Sequence, residues 1–210
     1  MKVGVGVITM GLRDLNPKMK ENTSHEVFVY TDHDRKGPGH ARNQVLKHFD
    51  GYDHVFIFDD DCYPTMKGWE EHFIAAGQVQ NIHYMALPEG FKGRYVGSHC
   101  EITFWDSALG CFIYQSKKAM ETIGGYNTRY NRYGYEDAGR SRRAVKAGLT
   151  GDANYFGFPL RGLMYIHSED VCGENPAPNI SHEDKLAYIE QNRAAWLEEI
   201  NGSEVFYPYV

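Results

Sequence analysis

The sequence predicts an α/β protein, because short apolar runs alternate with longer amphipathic stretches through the first half of the chain. This alternation is typical of a parallel sheet covered by helices. The run HVFIF at His54–Phe58 is apolar throughout, as expected of a central strand that is buried on both faces. No internal repeat or linker interrupts the pattern, so we expect a single domain over residues 1–210.

The first half of the chain supplies the predicted parallel strands. Small and β-branched residues alternate at Lys2–Ile8, which predicts the first strand, and a polar loop with one short helix is expected over residues 9–24. The run EVFVY predicts a second strand at Glu26–Tyr30. Apolar residues at helical spacing predict helices at His40–Phe49 and Met66–Gln80.

The second half has a more mixed pattern. Its predicted elements, in order, are a strand at Gly110–Tyr114, helices at Lys117–Ile123 and Glu136–Gly148, short strands at Ala153–Phe156 and Leu163–His167, a turn-rich loop at Gly173–Asn179 and an amphipathic helix at His182–Ile200.

Composition disfavours several classes of protein. The formal net charge is −6 without a run of lysine or arginine, which disfavours binding to nucleic acid or to an anionic membrane. No segment predicts a membrane span, and four scattered cysteines favour a reduced, cytoplasmic protein. Aromatic residues make up 14% of the chain, with 15 tyrosines, which suits a site that stacks sugar rings or bases.

Three aspartates, Asp59, Asp60 and Asp61, follow the predicted central strand in the run VFIFDDDCYP. Crowded carboxylates repel one another and lose hydration, so a bound divalent cation would explain them. A solvated acidic turn explains them equally well. Ligands of open α/β sheets bind beyond the carboxyl ends of the strands, which is where these residues are expected.

A second candidate region is the tyrosine-rich stretch from Gly124 to Gly148, which delivers Glu136 and Asp137 to a helix start. Acidic residues are favoured in a first helical turn by the helix dipole, so this position needs no functional explanation. The alternative is an aromatic loop that stacks a sugar while a carboxylate takes a proton from its hydroxyl.

A third candidate is LMYIHSED, which holds Met164 and His167. On a regular strand these two side chains would point to opposite faces, whereas at a curled strand end they could converge. A lone histidine is more often structural than a metal ligand, and a lone methionine usually packs in a core.

The order of the three motifs resembles that of the GT-A fold glycosyltransferases. ARN at 41–43 followed by VFIFDDDCYPTMKGW is similar to the donor-binding half of family 2. The stretch from Gly110 to Gly148 and the segment MYIHSEDVCGENPAPN resemble the C-terminal half of the animal β-1,4-galactosyltransferases of family 7. The resemblance implies a Rossmann-like mixed sheet flanked by helices. Residues 1–108 would form the nucleotide-sugar-binding half and residues 109–210 the acceptor and catalytic half.

The resemblance also implies a metal site. Asp61 matches the last aspartate of the family's Asp-x-Asp motif, a manganese ligand, and Asp59 matches the first, near the donor ribose or the metal. Met164 and His167 match the family's Met-x-x-His ligands. Sulfur and imidazole donors suit Mn²⁺ better than Mg²⁺, although either cation is compatible with the carboxylates.

Catalytic and sugar-binding roles follow from the same resemblance. Asp137 matches the general base, Glu136 a residue that contacts a sugar, and Tyr133 a family tryptophan on the acceptor side. Tyr135 replaces a family glycine, which narrows the subsite, and is expected to stack the acceptor with Tyr133. Recognition of the base is assigned by elimination to Thr9, Thr31, Asp32 or Arg42. Asp59 and Asp60, in the Asp-x-Asp motif, are also expected to contact the nucleotide-sugar.

The implied function is inverting, metal-dependent transfer of a sugar from a nucleotide-sugar, expected to be a UDP-sugar, to an acceptor hydroxyl, expected on a glycan. One alternative is a non-catalytic nucleotide-sugar or glycan binder; another is transfer to a nucleobase, lipid or protein. A nucleotidyltransferase is disfavoured because VITMGLRDLN lacks a glycine-rich basic loop. The stretch Glu89–Asp106 matches nothing assignable and is expected in the acceptor region.

Overall fold

The computed structural model describes residues 1–88, 93–174 and 181–209. The loop predicted at Gly173–Asn179 and the stretch Glu89–Asp106 lie partly outside these ranges. Within them, no helix is long and apolar enough to cross a bilayer. The elements in chain order are β1 (Val3–Thr9), α1 (Lys18–Glu21), β2 (Glu26–Thr31), α2 (Pro38–His48), β3 (His54–Asp59), β4 (Cys62–Pro64), α3 (Trp69–Gln80), β5 (Tyr84–Pro88), β6 (Tyr95–His99), β7 (Ile102–Trp105), β8 (Ala108–Ser116), α4 (Lys117–Ile123), α5 (Glu136–Lys146), β9 (Phe156–Pro159), α6 (Gly162–Tyr165), β10 (Ile166–Ser168) and α7 (His182–Asn201).

The main sheet has five strands in the order β2-β1-β3-β8-β5. Strand β1 pairs in parallel with β2 and β3, as the alternation in the first half predicts. Strand β8 runs antiparallel to both β3 and β5, so the sheet as a whole is mixed. The α/β class and the mixed sheet expected from the resemblance are therefore confirmed.

Strand β3 is central and fully covered, which explains its unbroken apolar sequence. Val55 and Ile57 face one core, which contains residues of α2, α4 and α5. Phe56 and Phe58 face the other, which contains Trp69 and further residues of α3, β7 and β9. Because successive side chains of a strand point to opposite faces, one apolar run contributes to both layers.

Two glycines in the first strand allow helix α2 to pack closely against the sheet. A Cβ atom built on Gly6 would lie 2.1 Å from Val45 Cγ1, and one on Gly4 would lie 2.4 Å from Phe49 Cδ1. Contacts this short are not tolerated, so the alternating VGVGV sequence reflects the approach of a helix as well as strand formation.

Several short strands differ from the sequence prediction. Strands β4 to β7 were not predicted, and the strand predicted at Ala153–Phe156 lies at Phe156–Pro159. The strand predicted at Leu163–His167 was wrong in its first part. There the chain forms α6, where Gly162 fits against the rings of Phe158 and Phe73, before the three-residue strand β10 pairs with β4.

Helix α7 is attached to the domain by a buried ion pair. Arg143 Nε of α5 donates to Glu199 Oε1 at 2.7 Å, and both side chains are 1% exposed. The second carboxylate oxygen of Glu199 accepts from Tyr130 Oη at 2.6 Å and from Asn127 Nδ2 at 3.0 Å. A charge pair this deeply buried is stabilising only while both partners are present.

We expect Glu199→Gln to destabilise the protein by about 3–5 kcal/mol, because the Arg143 guanidinium would remain buried without its counter-charge. The free energy of unfolding from urea denaturation measures this loss. Glu198→Gln is the matched control, since the neighbouring Glu198 forms an exposed pair with Arg129 and its removal should leave the midpoint unchanged. Equal effects of the two variants would contradict this account of α7 docking.

Candidate active site

The candidate site lies at the carboxyl edge of the main sheet. Thr9 ends β1, Asp32 follows β2 and Asp59 ends β3, so the three residues meet where strand order reverses around β1. Because β8 is antiparallel to β3, its first residues, Gly110 among them, reach the same edge. All four residues line one cavity of about 690 Å³.

The side chain of Arg42 connects the elements around this cavity. Its Nη2 atom donates to Asp59 Oδ1 at 2.8 Å and to the Gly110 carbonyl at 3.1 Å, and its Nη1 atom donates to Glu136 Oε1 at 3.2 Å. The residue is only 2% exposed. Burial opposes the charge, but the carboxylates outweigh this effect, and the pKa of Arg42 is raised.

Asp59 and Asp60 have different partners and different environments. Burial raises the pKa of Asp59 to about 6, and the positive charge of Arg42 opposes this rise. Asp60 accepts a hydrogen bond from Thr9 Oγ1 at 2.5 Å and lies 3.3 Å from Arg13 Nε. Thr9 and Asp60, both predicted to bind the nucleotide, are therefore bonded to each other across the end of the sheet.

Asp61 joins the end of β3 to the segment after β10. Its Oδ2 atom accepts from Ser168 Oγ at 2.8 Å and from the Asp170 backbone N–H at 3.1 Å. All three residues line the cavity. The third sequence motif, LMYIHSED, therefore does contact the Asp59–Asp61 cluster. The contact is made by Ser168 and Asp170, and not by Met164 and His167.

Asp32 is buried and shapes the loop that enters α2. Its carboxylate accepts from the backbone N–H groups of Lys36 at 3.1 Å and Gly37 at 2.7 Å. These bonds are an alternative to the nucleotide contact predicted for it, although the residue does line the cavity.

Glu136 and Asp137 open helix α5 at the cavity wall. Glu136 Oε1 accepts from Arg42, while its buried Oε2 atom has no hydrogen-bond partner. Burial raises the pKa of Glu136, the negative charge of Asp137 raises it further, and Arg42 opposes both. An unpartnered, buried carboxylate oxygen is costly to the folded state, and the raised pKa reflects this cost.

The carboxylate of Asp137 is held in one orientation by two backbone groups. Its Oδ2 atom accepts from Gly110 N–H at 3.0 Å and its Oδ1 atom from Ala138 N–H at 2.7 Å. A Cβ atom on Gly110 would lie 2.7 Å from Asp137 Cβ, so only glycine fits beside it. Gly110 opens the run GCFIY, yet its role in orienting the carboxylate was not visible in the sequence.

Both tyrosines predicted to hold an acceptor line the cavity. Burial raises the pKa of Tyr133 to about 12, and Lys185 Nζ lies 5.4 Å from its ring centroid. Tyr135 has a φ of 71° and stacks on Trp196 of α7, with ring centroids 4.6 Å apart and planes at 13°. One face of the Tyr135 ring is therefore covered.

Met164 and His167 do not join the acidic cluster. Met164 lies on α6 with 66% of its surface exposed, and His167 Nε2 lies 3.0 Å from Glu174 Oε2. Neither residue lines the cavity. Because strand neighbours point to opposite faces and Ser168 points to Asp61, His167 faces away from it. The predicted set of Asp61, Met164 and His167 is thus not assembled in this structure.

Helix α7 contributes residues that sequence reasoning did not identify. Lys185 and Tyr188 line the cavity, and Arg132 Nη1 donates to Tyr188 Oη at 3.3 Å. Asn192 Nδ2 donates to the carbonyls of Asn131 and Tyr133, both at 2.9 Å, and so fixes the tyrosine-rich loop. The amphipathic pattern predicted this helix, but nothing in it indicated which turn would meet the site.

Comparison with sequence families gives a match over part of the chain. Residues 95–159 match the model described as the N-terminal domain of galactosyltransferase. The match begins inside Glu89–Asp106, which could not be assigned from the sequence, includes Glu136 and Asp137, and ends before Met164. No curated protein sequence matches the chain.

The chain is similar in structure to several solved glycosyltransferases, one of which superposes well enough to define the fold. The structure of GalNAc-T7 with UDP, GalNAc and Mn²⁺ superposes with a TM-score of 0.54 at 11% identity, over 76% of this chain and 42% of that one. A Pyrobaculum calidifontis mannosyltransferase with GDP-Man and Mn²⁺ gives a TM-score of 0.48 at 13% identity, over 70% and 53%. A Drosophila β-1,4-galactosyltransferase 7 with manganese, UDP-Gal and xylobiose gives 0.48 at 13% identity, over 87% and 78%. The chain therefore has the fold of the GT-A glycosyltransferases, with a galactosyltransferase-like region at residues 95–159.

Proposed function

We propose that this protein is an inverting glycosyltransferase that moves a sugar from a nucleotide-sugar, expected to be a UDP-sugar, to an acceptor hydroxyl. One observation carries the proposal: a single cavity unites the Asp59–Asp61 cluster, at the carboxyl end of β3, with the oriented carboxylate of Asp137 at the start of α5. Transfer needs residues that hold a diphosphate leaving group on one side of the sugar and a proton acceptor on the other side. In this proposal the Asp59–Asp61 cluster provides the first and Asp137 the second.

The donor end of the cavity carries the type of side chain that a hard divalent cation prefers. Asp59, Asp60 and Asp61 contribute oxygen donors in close succession, and Asp170 also lines the cavity. Carboxylate oxygens suit Mn²⁺ or Mg²⁺, but among the described residues no three of these carboxylates have oxygens within 4.8 Å of one another, so cation binding would draw them together. Asp61 and Asp59 are the residues that would hold the cation, which when bound supplies Lewis-acid stabilisation of a leaving diphosphate. Met164 and His167 do not fit this set as they stand.

Asp137 is the proposed general base. Its two oxygens accept from backbone N–H groups, yet each keeps a further lone pair for an acceptor hydroxyl. The backbone bonds fix the direction of the carboxylate, and a positioned base removes a proton as the hydroxyl attacks. A base that acts directly on the acceptor supports a single displacement, with inversion at the anomeric carbon.

Glu136 is proposed to bind a sugar hydroxyl through its free Oε2 atom, while Arg42 holds Oε1. Tyr133 is proposed to stack the acceptor, and Tyr135 to shape the edge of that subsite because its ring is already stacked on Trp196. Thr9 and Asp32 are proposed to line the nucleotide pocket. A glycan is the expected acceptor; the acceptor class is to be identified by screening.

A nucleotide that binds only the folded protein stabilises it by mass action, by about 2.7 kcal/mol when its concentration is a hundred times Kd. Such a nucleotide should therefore raise the melting temperature of the protein. We expect one of UDP, GDP or CMP, or its sugar conjugate, to do so with Mn²⁺ and not with EDTA. Absence of any shift, with or without metal, would favour a non-catalytic glycan binder over an enzyme.

Asp61→Asn should abolish the metal-dependent part of this stabilisation while the protein stays folded. The asparagine oxygen can still accept from Ser168 and Asp170, so only the charge is lost. Thermal shift with the selected nucleotide measures the effect. Asp50→Asn, at an exposed position after α2, is the control and should respond as the wild type does. A normal metal response in Asp61→Asn would contradict the proposed cation site.

Asp137→Asn should keep nucleotide binding and lower the rate of transfer by about 10²–10⁴-fold, because the proton acceptor is removed. Gly110→Ala should act in the same direction, since its new Cβ would displace the Asp137 side chain. Rates are measured by release of the nucleoside diphosphate with the acceptor found by screening. Transfer at the normal rate in Asp137→Asn would show that another group is the base.

Glu136→Gln should become increasingly stabilising, relative to the wild type, as the pH rises. The pKa of Glu136 is higher in the folded than in the unfolded protein, so the folded state binds more protons between the two values and loses stability as pH rises through this range. Each unit of pKa difference corresponds to about 1.4 kcal/mol. Urea unfolding between pH 4 and 8 tests this, with exposed Glu121→Gln as control. A pH-independent difference would contradict it.

A further inference from the structure

Three potential metal ligands meet in the loop after β10, outside the cavity. His167 Nε2 lies 3.0 Å from Glu174 Oε2, and Cys172 Sγ lies 4.0 Å from His167 Nδ1. One ligand atom from each of His167, Cys172 and Glu174 lies within 4.8 Å of the other two. None of the three residues lines the cavity of the proposed active site.

The backbone holds this group together. Cys172 N–H donates to the Ser168 carbonyl at 3.0 Å, and Glu174 N–H donates to the Glu169 carbonyl at 2.8 Å. Gly173, between the two ligands, has a φ of 73°, which turns the chain back over His167. His167 itself is fixed on β10 by pairing with Tyr63 of β4. The ligands are therefore brought close before any ion binds.

The chemistry of the donor set differs from that of the Asp59–Asp61 cluster. A thiolate, an imidazole and a carboxylate are typical zinc ligands, whereas Mg²⁺ and Mn²⁺ prefer sites built from oxygen. Tetrahedral zinc bonds of about 2.0–2.3 Å place neighbouring ligand atoms about 3.3–3.8 Å apart. Glu174 lies at Nε2 of His167 and Cys172 at Nδ1, so one of these two exposed side chains must rotate toward the other's ring nitrogen to complete the site around a single ion.

We propose that His167, Cys172 and Glu174 form a second metal site, which binds Zn²⁺ through three protein ligands and leaves a fourth position for water or another ligand. The site uses His167, which the family resemblance assigned to the donor cation. While His167 binds zinc here, it does not reach a cation at Asp61. Zinc binding needs no nucleotide, so this inference stands or falls independently of glycosyl transfer.

Isothermal titration of the reduced 210-residue chain with ZnCl₂ alone tests the proposal. We expect one tight equivalent to bind, and His167→Gln, Cys172→Ser and Glu174→Gln each to weaken its affinity at least about tenfold. Cys100→Ser is the matched control, because Cys100 is also an exposed free cysteine beside a histidine and should not affect binding. Asp61→Asn should leave the affinity of this tight equivalent unchanged and affect only weaker binding at Asp59–Asp61.

Cobalt substitution provides a readout of the ligands themselves. Co²⁺ bound here should give a thiolate-to-cobalt charge-transfer band that Cys172→Ser removes and Cys100→Ser retains. Failure to bind stoichiometric zinc would reduce the cluster to a hydrogen bond between His167 and Glu174 and overturn the proposal. Loss of zinc affinity in Cys100→Ser or Asp61→Asn, with Cys172→Ser unaffected, would overturn it as well.

Discussion

The rest of the site depends on the hydrogen bonds and ion pairs of one buried group, the guanidinium of Arg42. It joins helix α2 to β3 through Asp59, to β8 through Gly110 and to α5 through Glu136. A buried cation must be matched by anions, and here the anions are also the residues that line the cavity. The charge of Arg42 therefore both connects these elements and fixes the positions of the Asp59 and Glu136 carboxylates. The second residue of α5, Asp137, is then set by the backbone of Gly110.

Much of the fold could be predicted because its signals are local. Strands β1, β2 and β3 and helices α2 and α4 follow from periodicity within each segment, and the apolar run of β3 predicts its central position. Strands β4, β6 and β7 have three to five residues, and their pairing is decided by distant segments. The helical turn at Gly162–Tyr165 depends on the space that the rings of Phe73 and Phe158 leave for a glycine.

The acidic half of the site was also predictable, since strand ends and helix starts are recognisable in sequence. What escaped prediction depends on packing: the hydrogen bond from Gly110 to Asp137, the reach of Ser168 to Asp61, and the entry of Lys185 into the cavity. The roles of Met164 and His167 came from resemblance alone. Strand alternation turns His167 toward the far side of β10, and the matching family region ends before it.

The attachment of the tyrosine-rich loop to α7 has a consequence for how the molecule is made. Asn192 donates hydrogen bonds to the carbonyls of Asn131 and Tyr133. Trp196 stacks on Tyr135, whose positive φ is a backbone conformation that is costly for any residue except glycine. During synthesis, residues 131–135 leave the ribosome some sixty residues before their partners on α7. The side of the cavity built from the strand ends at Thr9, Asp32 and Asp59 can therefore assemble first, and the side built from residues 131–135 is completed only when helix α7 arrives.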